Sequence, residues 1–295
     1  MQKSNNAIIA LIGVTVIWGL TFPLIKNAVV DIDPSAFVAL RMLMATLVML
    51  PFVIHRFHKT TVFMLLGGLV VGVLSSAIYI TQSIGLETTS SANSAFITAS
   101  SVILVPFLSP LFGTGRPRFI DIVVALITLL GIFILTGASL SHLTVGDYWT
   151  LGCALTYTLF IITLQRITQK SLDLFLLVFY QILFAVPIPL AVSFYKHAHF
   201  VLNESVIVAV LFCSIFATCF TFYIQNAFQK YTTVTKAALI YTFEPVFASI
   251  FAVYINGERI THYTEIGGLL VLIGFLCAEC LPRLKIRSLG KTASH

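Results

Sequence analysis

A pattern of membrane-length apolar segments occurs twice in this chain, and this repetition constrains the fold more than any other feature. The first copy opens with IWGLTFPLIKNAV at residue 17 and the second with TYTLFIITLQRIT at residue 156, 139 positions later. An odd number of spans in each copy would place the second copy upside down in the bilayer. Inverted repeats of this kind build a cavity near the membrane midplane, as in secondary transporters. The repeat therefore makes transport the leading functional hypothesis.

Composition indicates a polytopic membrane protein. Hydrophobic residues make up 58% of the chain, charged residues only 9%, and the mean hydropathy is +1.01. Soluble domains carry about 25% charged residues. The apolar runs have the length, about 18 to 22 residues, that a helix needs to cross the hydrocarbon core of a bilayer. They lack the period-two alternation of a membrane β-barrel, so we expect an all-α fold.

Turn residues between the apolar runs divide the chain into ten predicted transmembrane helices. The predicted spans are 7–28, 35–54, 62–85, 92–112, 119–137, 148–166, 174–195, 205–228, 235–255 and 264–281. Only a short polar stretch separates the third span from the fourth, so nine spans are the alternative. We predict two inverted five-helix repeats, residues 1–138 and 139–282, followed by a basic cytoplasmic tail at 283–295.

The distribution of basic residues favours ten spans over nine. Only Lys26, Lys196 and Arg259 lie in loops that are outside when the N-terminus is inside. The opposite side carries Lys3, Arg56, Lys59, Arg116, Arg118, Arg166, Lys170, Lys230, Lys236, Arg283, Lys285, Arg287 and Lys291. The positive-inside rule therefore predicts both termini in the cytoplasm, in a cell inner (plasma) membrane. The net charge of +6 then reflects orientation and indicates no nucleic-acid partner.

The sequence points to no cofactor, metal site or catalytic centre. The five cysteines all fall within apolar runs and offer no disulfide framework. They are Cys153, Cys213, Cys219, Cys277 and Cys280. No second CxxC or nearby histidine cluster completes a tetrahedral metal site with residues 277–280. A GxxxxGK[ST] loop does not occur, which excludes that class of ATPase, and we expect the protein not to be an enzyme.

Three segments carry a resemblance to a known family. They are IWGLTFPLIK with Arg41 downstream, TTSSANSAFITASSVILVPFLSPL, and YTTVTKAALIYTFEPVFASIFAVYINGERIT, which contains Glu244-Pro245 and Gly257-Glu258-Arg259. With these segments the chain resembles the EamA-type branch of the drug/metabolite transporter superfamily over nearly its whole length. The resemblance implies ten helices in two inverted repeats around a central cavity. It also implies a permease that moves a small polar metabolite, such as an amino acid, by alternating access.

The two halves can be aligned within this sequence. At an offset of 139, Trp18 aligns with Tyr157 and Arg41 with Tyr180. At an offset of 142, Ser91 aligns with Thr233 and Val102-Ile103 with Glu244-Pro245. The first half has Gly115-Arg116-Pro117 where a Gly-Glu-Arg would stand. The functional polar residues are therefore distributed asymmetrically between the halves.

Glu244 and Arg41 are the charged candidates for the substrate cavity. A carboxylate inside a span costs about 2.5–3.5 kcal/mol on insertion scales unless it is paired or hydrated. Glu244 is a proton-coupling group, a binder of cationic substrate groups, or a structural hydrogen-bonding group at a kink made by Pro245. Arg41 is a countercharge to Glu244, a holder of a substrate carboxylate, or a snorkelling residue. We favour a structural or gating ion pair for Arg41.

Further polar and aromatic residues within the spans must turn inward, because lipid satisfies no hydrogen bonds. As a group they predict a polar cavity, although each alone is more often an interhelical contact, and Trp18 alone is more often core packing. The candidates are Trp18, Tyr79, Gln82, Asn93, Thr98, Tyr157, Tyr180, Gln181, Tyr223, Asn226 and Tyr241. Gly19 and Pro23 are predicted to interrupt the first helix as a hinge.

The expected partners are a small-molecule substrate, the lipid bilayer and protons as coupling ion. Two alternatives from other classes remain open, an intramembrane lipid-handling enzyme and a non-transporting partner subunit. Against the enzyme, the spans contain no HExxH, paired aspartates or Ser–His arrangement. Against the partner subunit, several spans carry buried polar residues. The sequence carries no signal for an oligomeric state.

Overall fold

The computed structural model describes residues 2–113, 118–136, 143–199, 201–256, 262 and 266–276. Within these ranges the chain is helical and contains no β-strand, which confirms the all-α fold class. The Gly257-Glu258-Arg259 and Gly115-Arg116-Pro117 segments lie outside the described residues. The Cys277–Cys280 pair and the basic tail at 283–295 also lie outside them.

The first half of the chain, residues 1–138, contains six described α-helices. They are α1 (Gln2–Ala28), α2 (Pro34–Val53), α3 (Val62–Thr88), α4 (Ser91–Ala99), α5 (Ser101–Leu108) and α6 (Phe119–Thr136). Two 3₁₀ turns, Ile54–Lys59 and Ser109–Phe112, extend α2 and α5. Capping residues determine where several helices begin. The Asp33 side chain accepts the backbone N–H of Ser35 at the start of α2, and the Thr61 side chain accepts that of Met64 at the start of α3.

The second half, residues 139–282, contains eight described α-helices. They are α7 (Val145–Thr168), α8 (Leu174–Phe184), α9 (Pro187–Tyr195), α10 (Glu204–Ser214), α11 (Thr221–Phe228), α12 (Val234–Tyr241), α13 (Glu244–Asn256) and α14 (Ile266–Leu276). A π-helix, Ile215–Phe220, joins α10 to α11 in one span, and a 3₁₀ turn, Gln229–Tyr231, follows α11.

In the described part of the chain, eight segments are long and apolar enough to cross a membrane, and two shorter apolar helices stand at the predicted fifth and tenth spans. The long segments include both pieces of each broken span, for example Asn93–Phe112 and Val234–Ile255. The shorter helices are Phe119–Ile134 and Ile266–Leu276. The molecule is therefore a multi-pass membrane protein.

The fourth helix of each half is broken at the same place. In the first half α4 ends at Ala99 and α5 begins at Ser101; the Ser100 hydroxyl donates to the carbonyl of Ile97 at 2.6 Å. In the second half α12 ends at Tyr241 and α13 begins at Glu244; the Thr242 hydroxyl donates to the carbonyl of Leu239 at 2.6 Å. Such side-chain bonds compete with the helical ladder and bend helices. The offset of 142 aligns Ile97 with Leu239 and Ser100 with Thr242.

The two halves pack closely because glycines remove side chains at the crossing points. A Cβ atom on Gly72 of α3 would lie 2.6 Å from the carbonyl oxygen of Gln181 in α8. A Cβ atom on Gly146 of α7 would lie 2.6 Å from the hydroxyl of Thr88. Small residues permit this approach in membrane helices, where packing replaces the hydrophobic driving force.

The first helix is not interrupted at Gly19 or Pro23, and the hinge predicted there stays a prediction. Helix α1 runs from Gln2 to Ala28 with Pro23 inside it. A helix accommodates one proline when neighbouring groups satisfy the freed carbonyl. Gly19 instead serves a close contact, because a Cβ there would lie 2.7 Å from the Cβ of Phe247 in α13. Pro245, in contrast, does stand at a break, directly after the first residue of α13.

Candidate functional site

A central cavity lies between helices of both halves. Its walls come from α1, α2, α3 and α4 in the first half and from α7, α11 and α13 in the second. The lining residues are Trp18, Thr21, Arg41, Ser75, Ile78, Tyr79, Gln82, Thr98, Tyr157, Phe160, Phe222 and Glu244. About 450 Å³ between them is free of atoms, but only about 30 Å³ admits the centre of a water molecule. This conformation therefore holds little more than one or two waters.

Arg41 is held in the cavity wall by the π-helix of the eighth span. Its Nε donates to the Thr218 hydroxyl at 2.8 Å and its Nη2 to the Ala217 carbonyl at 3.1 Å. The guanidinium carbon lies 3.9 Å from the ring centroid of Tyr79, a cation–π distance. Arg41 is 1% exposed, which excludes the snorkelling interpretation. Its remaining nitrogen, Nη1, makes no hydrogen bond to any residue that the structure describes.

The π-helix supplies acceptors that a regular helix would not offer. The carbonyl of Ala217 receives the Trp18 indole N–H at 3.2 Å as well as the Arg41 guanidinium. The Trp18 N–H also reaches the Thr221 hydroxyl at 3.1 Å. The Thr218 hydroxyl donates to Cys213 five residues earlier, at 2.7 Å. Single π turns of this kind often mark functional sites, and this one fixes both Trp18 and Arg41.

Glu244 enters the cavity as the first residue of α13. It is 8% exposed, and it forms no hydrogen bond or ion pair with any described residue. Helix α13 begins at Glu244, directly after the break at Thr242 and Phe243. A helix N-terminus favours a negative charge through the helix dipole. The position therefore suits a carboxylate that receives a ligand.

The ion pair that we favoured between Arg41 and Glu244 is not formed. Within the described part of the chain, ion pairs closer than 4 Å are Arg56–Asp173 at 3.0 Å and Arg118–Asp121 at 2.8 Å. Arg41 is instead satisfied by uncharged acceptors of the π-helix and by an aromatic face. A buried cation and a buried carboxyl group thus line one cavity without pairing.

Aromatic rings pack against one another in and beside the cavity wall. The Trp18 ring lies 6.2 Å from the Tyr157 ring and 5.6 Å from the Tyr241 ring. The Phe222 ring stacks on Tyr79 at 6.1 Å and lies 6.4 Å from Phe160. Five of the twelve lining residues are therefore aromatic.

Seven of the residues predicted from the sequence do line this cavity. They are Trp18, Arg41, Tyr79, Gln82, Thr98, Tyr157 and Glu244. Tyr241 packs against the Trp18 and Tyr157 rings, and its hydroxyl donates to Gln229 at 2.9 Å and accepts from Gln225 at 3.1 Å. Gln181 lies one residue behind the wall, because its amide donates to the lining hydroxyl of Ser75 at 3.2 Å.

Four other predicted residues lie away from the cavity. Asn226 donates to Gln181 at 3.2 Å and to the carbonyl of Phe222 at 2.7 Å. The Tyr223 ring packs 4.7 Å from Phe175. The Tyr180 hydroxyl bonds to Thr60 at 2.7 Å, and the Asn93 amide donates to Asp147 at 2.5 Å. Inward orientation, which the sequence indicates, does not distinguish a cavity from a helix–helix contact.

Sequence reasoning missed part of the lining set. The missed residues are Thr21, Ser75, Ile78, Phe160 and Phe222. Helical spacing could have found several of them, because Ser75, Ile78 and Tyr79 follow one face of α3 and Thr21 lies one turn after Trp18. Phe160 and Phe222 carry no such signal, because apolar residues occupy every face of these spans.

No cluster of three or more metal-ligating side chains occurs among the residues that the structure describes. The described cysteines, Cys153, Cys213 and Cys219, are buried and unpaired. Thr98 and Cys153 approach each other at 3.9 Å beside the cavity, a contact of small side chains.

Comparisons with known proteins agree on the kind of protein. The sequence model of the EamA-like transporter family matches residues 5–137 and again residues 144–278. A curated relative, an uncharacterized transporter of Archaeoglobus fulgidus, is 32% identical over 276 residues, which cover 93% of this chain and 86% of the relative. A solved crystal structure with 17% sequence identity shares the fold at a TM-score of 0.76, over 95% of this chain and 98% of that one.

Proposed function

This chain belongs to the EamA-like transporter family, and from that premise we propose that it carries a small zwitterionic metabolite, such as an amino acid, across the membrane by alternating access. We propose the cell inner membrane as its location, with both termini in the cytoplasm, on the distribution of basic residues. The family model matches each half once, which supports the proposal of two five-helix repeats.

We infer the substrate class from Arg41 and Glu244, which line one cavity without forming an ion pair with each other. A buried charge is costly unless it finds a counter-charge, and Arg41 and Glu244 find none in each other. An α-amino acid carries a carboxylate and an ammonium group on the same carbon. Its carboxylate would accept from the free Nη1 of Arg41, and its ammonium would donate to Glu244 at the start of α13.

The cavity walls favour an apolar substrate side chain. Ile78, Phe160 and Phe222 line the cavity together with the Trp18 and Tyr157 rings, which lie 6.2 Å apart. Polar groups with fixed positions give orientation, and apolar surface gives affinity, in most small-molecule sites. We therefore take L-leucine as the first probe.

Transport in this cavity requires a change of conformation. Only about 30 Å³ admits the centre of a water molecule, which is room for one or two waters in this conformation. A substrate therefore enters only when helices on one side separate, and leaves when those on the other side do. Two halves that contribute opposite walls to one cavity suit this cycle.

Glu244 is also our candidate for coupling to protons. The sequence has no nucleotide-binding loop of the GxxxxGK[ST] type, so the proposed driving force is an ion gradient, an exchanged solute or the substrate gradient itself. A carboxyl group without an ion pair is available to a proton or to a cationic substrate group. Competition between the two would link leucine movement to the proton gradient.

The test is leucine counterflow in liposomes that contain only the purified protein. Radiolabelled leucine outside should accumulate against unlabelled leucine inside, and empty liposomes should show no accumulation. Arg41→Gln and Glu244→Gln should abolish the signal, whereas Lys196→Gln, at an exposed residue of an outer loop, should retain it. If both cavity variants show the same counterflow as the wild type, the proposed site is contradicted.

The same experiment separates the alternatives. A partner subunit would give no counterflow without its partner. A lipid-handling enzyme would change the lipids of the liposomes, which thin-layer chromatography detects, and would move no leucine. A proton gradient, imposed across the liposome membrane, should accelerate leucine movement in the wild type and not in a Glu244→Gln variant that retains any flux.

A further inference from the structure

Lys26 and Gln165 occupy the same position in the two halves, at opposite ends of the central cavity. An offset of 139 relates them, and each lies eight residues after a cavity residue, Trp18 or Tyr157. Eight residues of α-helix span about 12 Å. With the orientation given above, Lys26 lies toward the outer face and Gln165 toward the cytoplasm.

Each side chain reaches a backbone carbonyl just before the fourth helix of its own half. Lys26 Nζ donates to the carbonyl of Thr89 at 2.8 Å, and Gln165 Nε2 donates to the carbonyl of Thr232 at 2.9 Å. Thr89 and Thr232 each precede the N-cap residue of a broken fourth helix, α4 or α12. Each contact therefore ties the end of the first helix of a half, α1 or α7, to the start of the fourth.

We propose that Lys26 and Gln165 are paired gate residues, which close the cavity toward the outer face and toward the cytoplasm respectively, and that the Gln165 gate is the weaker one. This inference rests on the proposed transport function. The two residues are positioning residues, because neither lines the cavity and each acts through the helices that it joins.

The Lys26 gate is reinforced by charge. Lys26 also donates to the carbonyl of Leu86 at 2.6 Å, in the last turn of α3, where a cation interacts favourably with the helix dipole. Hydrogen bonds from a charged donor are roughly twice as strong as neutral ones. The amide of Gln165 is neutral and makes a single bond.

A second outer contact ties the halves together next to Lys26. The Asp147 carboxylate, 1% exposed at the start of α7, accepts from the Thr89 hydroxyl at 2.6 Å and from the Asn93 amide at 2.5 Å. It also accepts the Thr144 N–H at 2.7 Å. The counterpart of Asp147 in the first half is Ile8, which offers no such bonds at the cytoplasmic end.

The Gln165 gate contains buried polar atoms that lack partners. The side-chain oxygens of Gln165, Gln225 and Asn226 have no hydrogen-bond partner in the described structure. Gln225 is linked through the Tyr241 hydroxyl to Gln229, whose amide donates to the Ile161 carbonyl at 2.9 Å. An unsatisfied buried acceptor raises the free energy of the closed state, and water relieves it when helices separate. No atom of the Lys26 and Asp147 contacts has this defect among the described residues.

The test measures which face of the membrane reaches the cavity. The five cysteines are replaced by alanine, and Ser75→Cys provides one reporter in the cavity wall. A membrane-impermeant maleimide then labels the reporter in right-side-out and in inside-out vesicles. Lys26→Met and Gln165→Leu remove each gate bond at similar side-chain volume. Lys196→Met removes an exposed lysine from the same outer face as Lys26 and serves as the matched control.

We expect the reporter to label faster from the cytoplasmic face in the parent protein. Lys26→Met should raise labelling from the outer face by about tenfold, because a charge-assisted contact is lost. Gln165→Leu should raise labelling from the cytoplasmic face only, by about threefold, because a neutral bond is lost. Lys196→Met should change neither rate. Monodispersity on gel filtration confirms that each variant is folded.

Two results would overturn the proposal. The first is that both variants change labelling from the same face, and the second is that neither changes it while the folded fraction is intact. The assay contains no substrate, so the gates and the substrate are tested separately. If the two variants open opposite faces but the protein shows no leucine counterflow, the gate proposal stands and leucine is rejected as the substrate. If the maleimide labels the reporter from neither face in any variant, both the gate proposal and alternating access are contradicted.

Discussion

The α4–α5 break and the α12–α13 break share one geometry and carry different chemistry. Each has a hydroxyl side chain, Ser100 or Thr242, bonded at 2.6 Å to the carbonyl three residues earlier. Two residues after the hydroxyl, the first break carries Val102, which is fully buried, and the second carries Glu244, which faces the cavity. The break therefore belongs to the scaffold that both halves use, whereas the charge is an addition to one half.

Arg41 shows the same division between scaffold and site. Its counterpart Tyr180 bonds to Thr60 at 2.7 Å, two residues before the start of α3 and away from the cavity. Arg41 reaches instead into a π-helix, and the equivalent third span of the first half, α3, is continuous. The first half contributes Arg41 from its second span, and the second half contributes Glu244 from its fourth span, so the two charges come from non-equivalent spans. A site that binds two unlike groups of one substrate needs this departure from symmetry.

The largest effect is expected when the two breaks are made alike. Glu244→Val gives the second break the side chain that the first carries. Leucine counterflow should fall by about 100-fold, because loss of a buried charged contact costs about 2–5 kcal/mol. The melting temperature should hold or rise, since valine needs no polar partner at this depth. Counterflow within a factor of about three of wild type would show that the charge is not part of the site.

The second prediction concerns the contact that positions α13. Gly19→Ala places a methyl group 2.7 Å from the Cβ of Phe247 and 3.0 Å from the carbonyl oxygen of Glu244. We expect a loss of about 1–3 kcal/mol in unfolding free energy, because the helices must move apart. Chemical unfolding in mixed micelles measures it. A Cβ atom at Gly13, on the same helix, would have no atom of another helix within 4 Å. Gly13→Ala should therefore be neutral or stabilising.

The third prediction separates the charge of Arg41 from its shape. Arg41→Lys keeps the charge but loses the fork that joins Thr218 and Ala217. Leucine affinity should fall by about tenfold, because a lysine cannot hold these acceptors and a carboxylate at the same time. Titration calorimetry gives the affinity. An unchanged affinity would indicate that only the net charge of this position matters.

The smallest effect tests whether the two breaks are equivalent. Ser100→Ala and Thr242→Val each remove one hydroxyl bond at a break. Each should change the unfolding free energy by about 1 kcal/mol, and the two values should agree within error. A much larger effect at Thr242 would mean that the second break is specialised as well as charged.

The sequence predicted the fold class and the two charged residues of the cavity for a simple reason. Charge inside an apolar run is costly, so Arg41 and Glu244 stand out in a chain with only 9% charged residues. Their relation was predicted incorrectly, because whether two buried charges meet depends on helix rotation. The π-helix at Ile215–Phe220, which satisfies Arg41, has no signal in the residue pattern.

Polar residues within the spans were harder to interpret. Tyr79 and Gln82 line the cavity, whereas Tyr223 and Asn226, with the same spacing one turn apart, make contacts between helices. Both outcomes satisfy the requirement that polar groups face inward. Only the packing of α11 against α8 decides between them, and that packing involves residues distant in the sequence.

The most direct test of the account is a titration of the purified protein with leucine and two analogues that each lack one charge. Isoamylamine lacks the carboxylate, and 4-methylpentanoate lacks the ammonium group. If Arg41 and Glu244 bind the two ends of a zwitterion, leucine should bind at least about tenfold more tightly than either analogue. Arg41→Gln should then bind leucine and isoamylamine equally. Equal binding of all three ligands to the wild type would contradict the account.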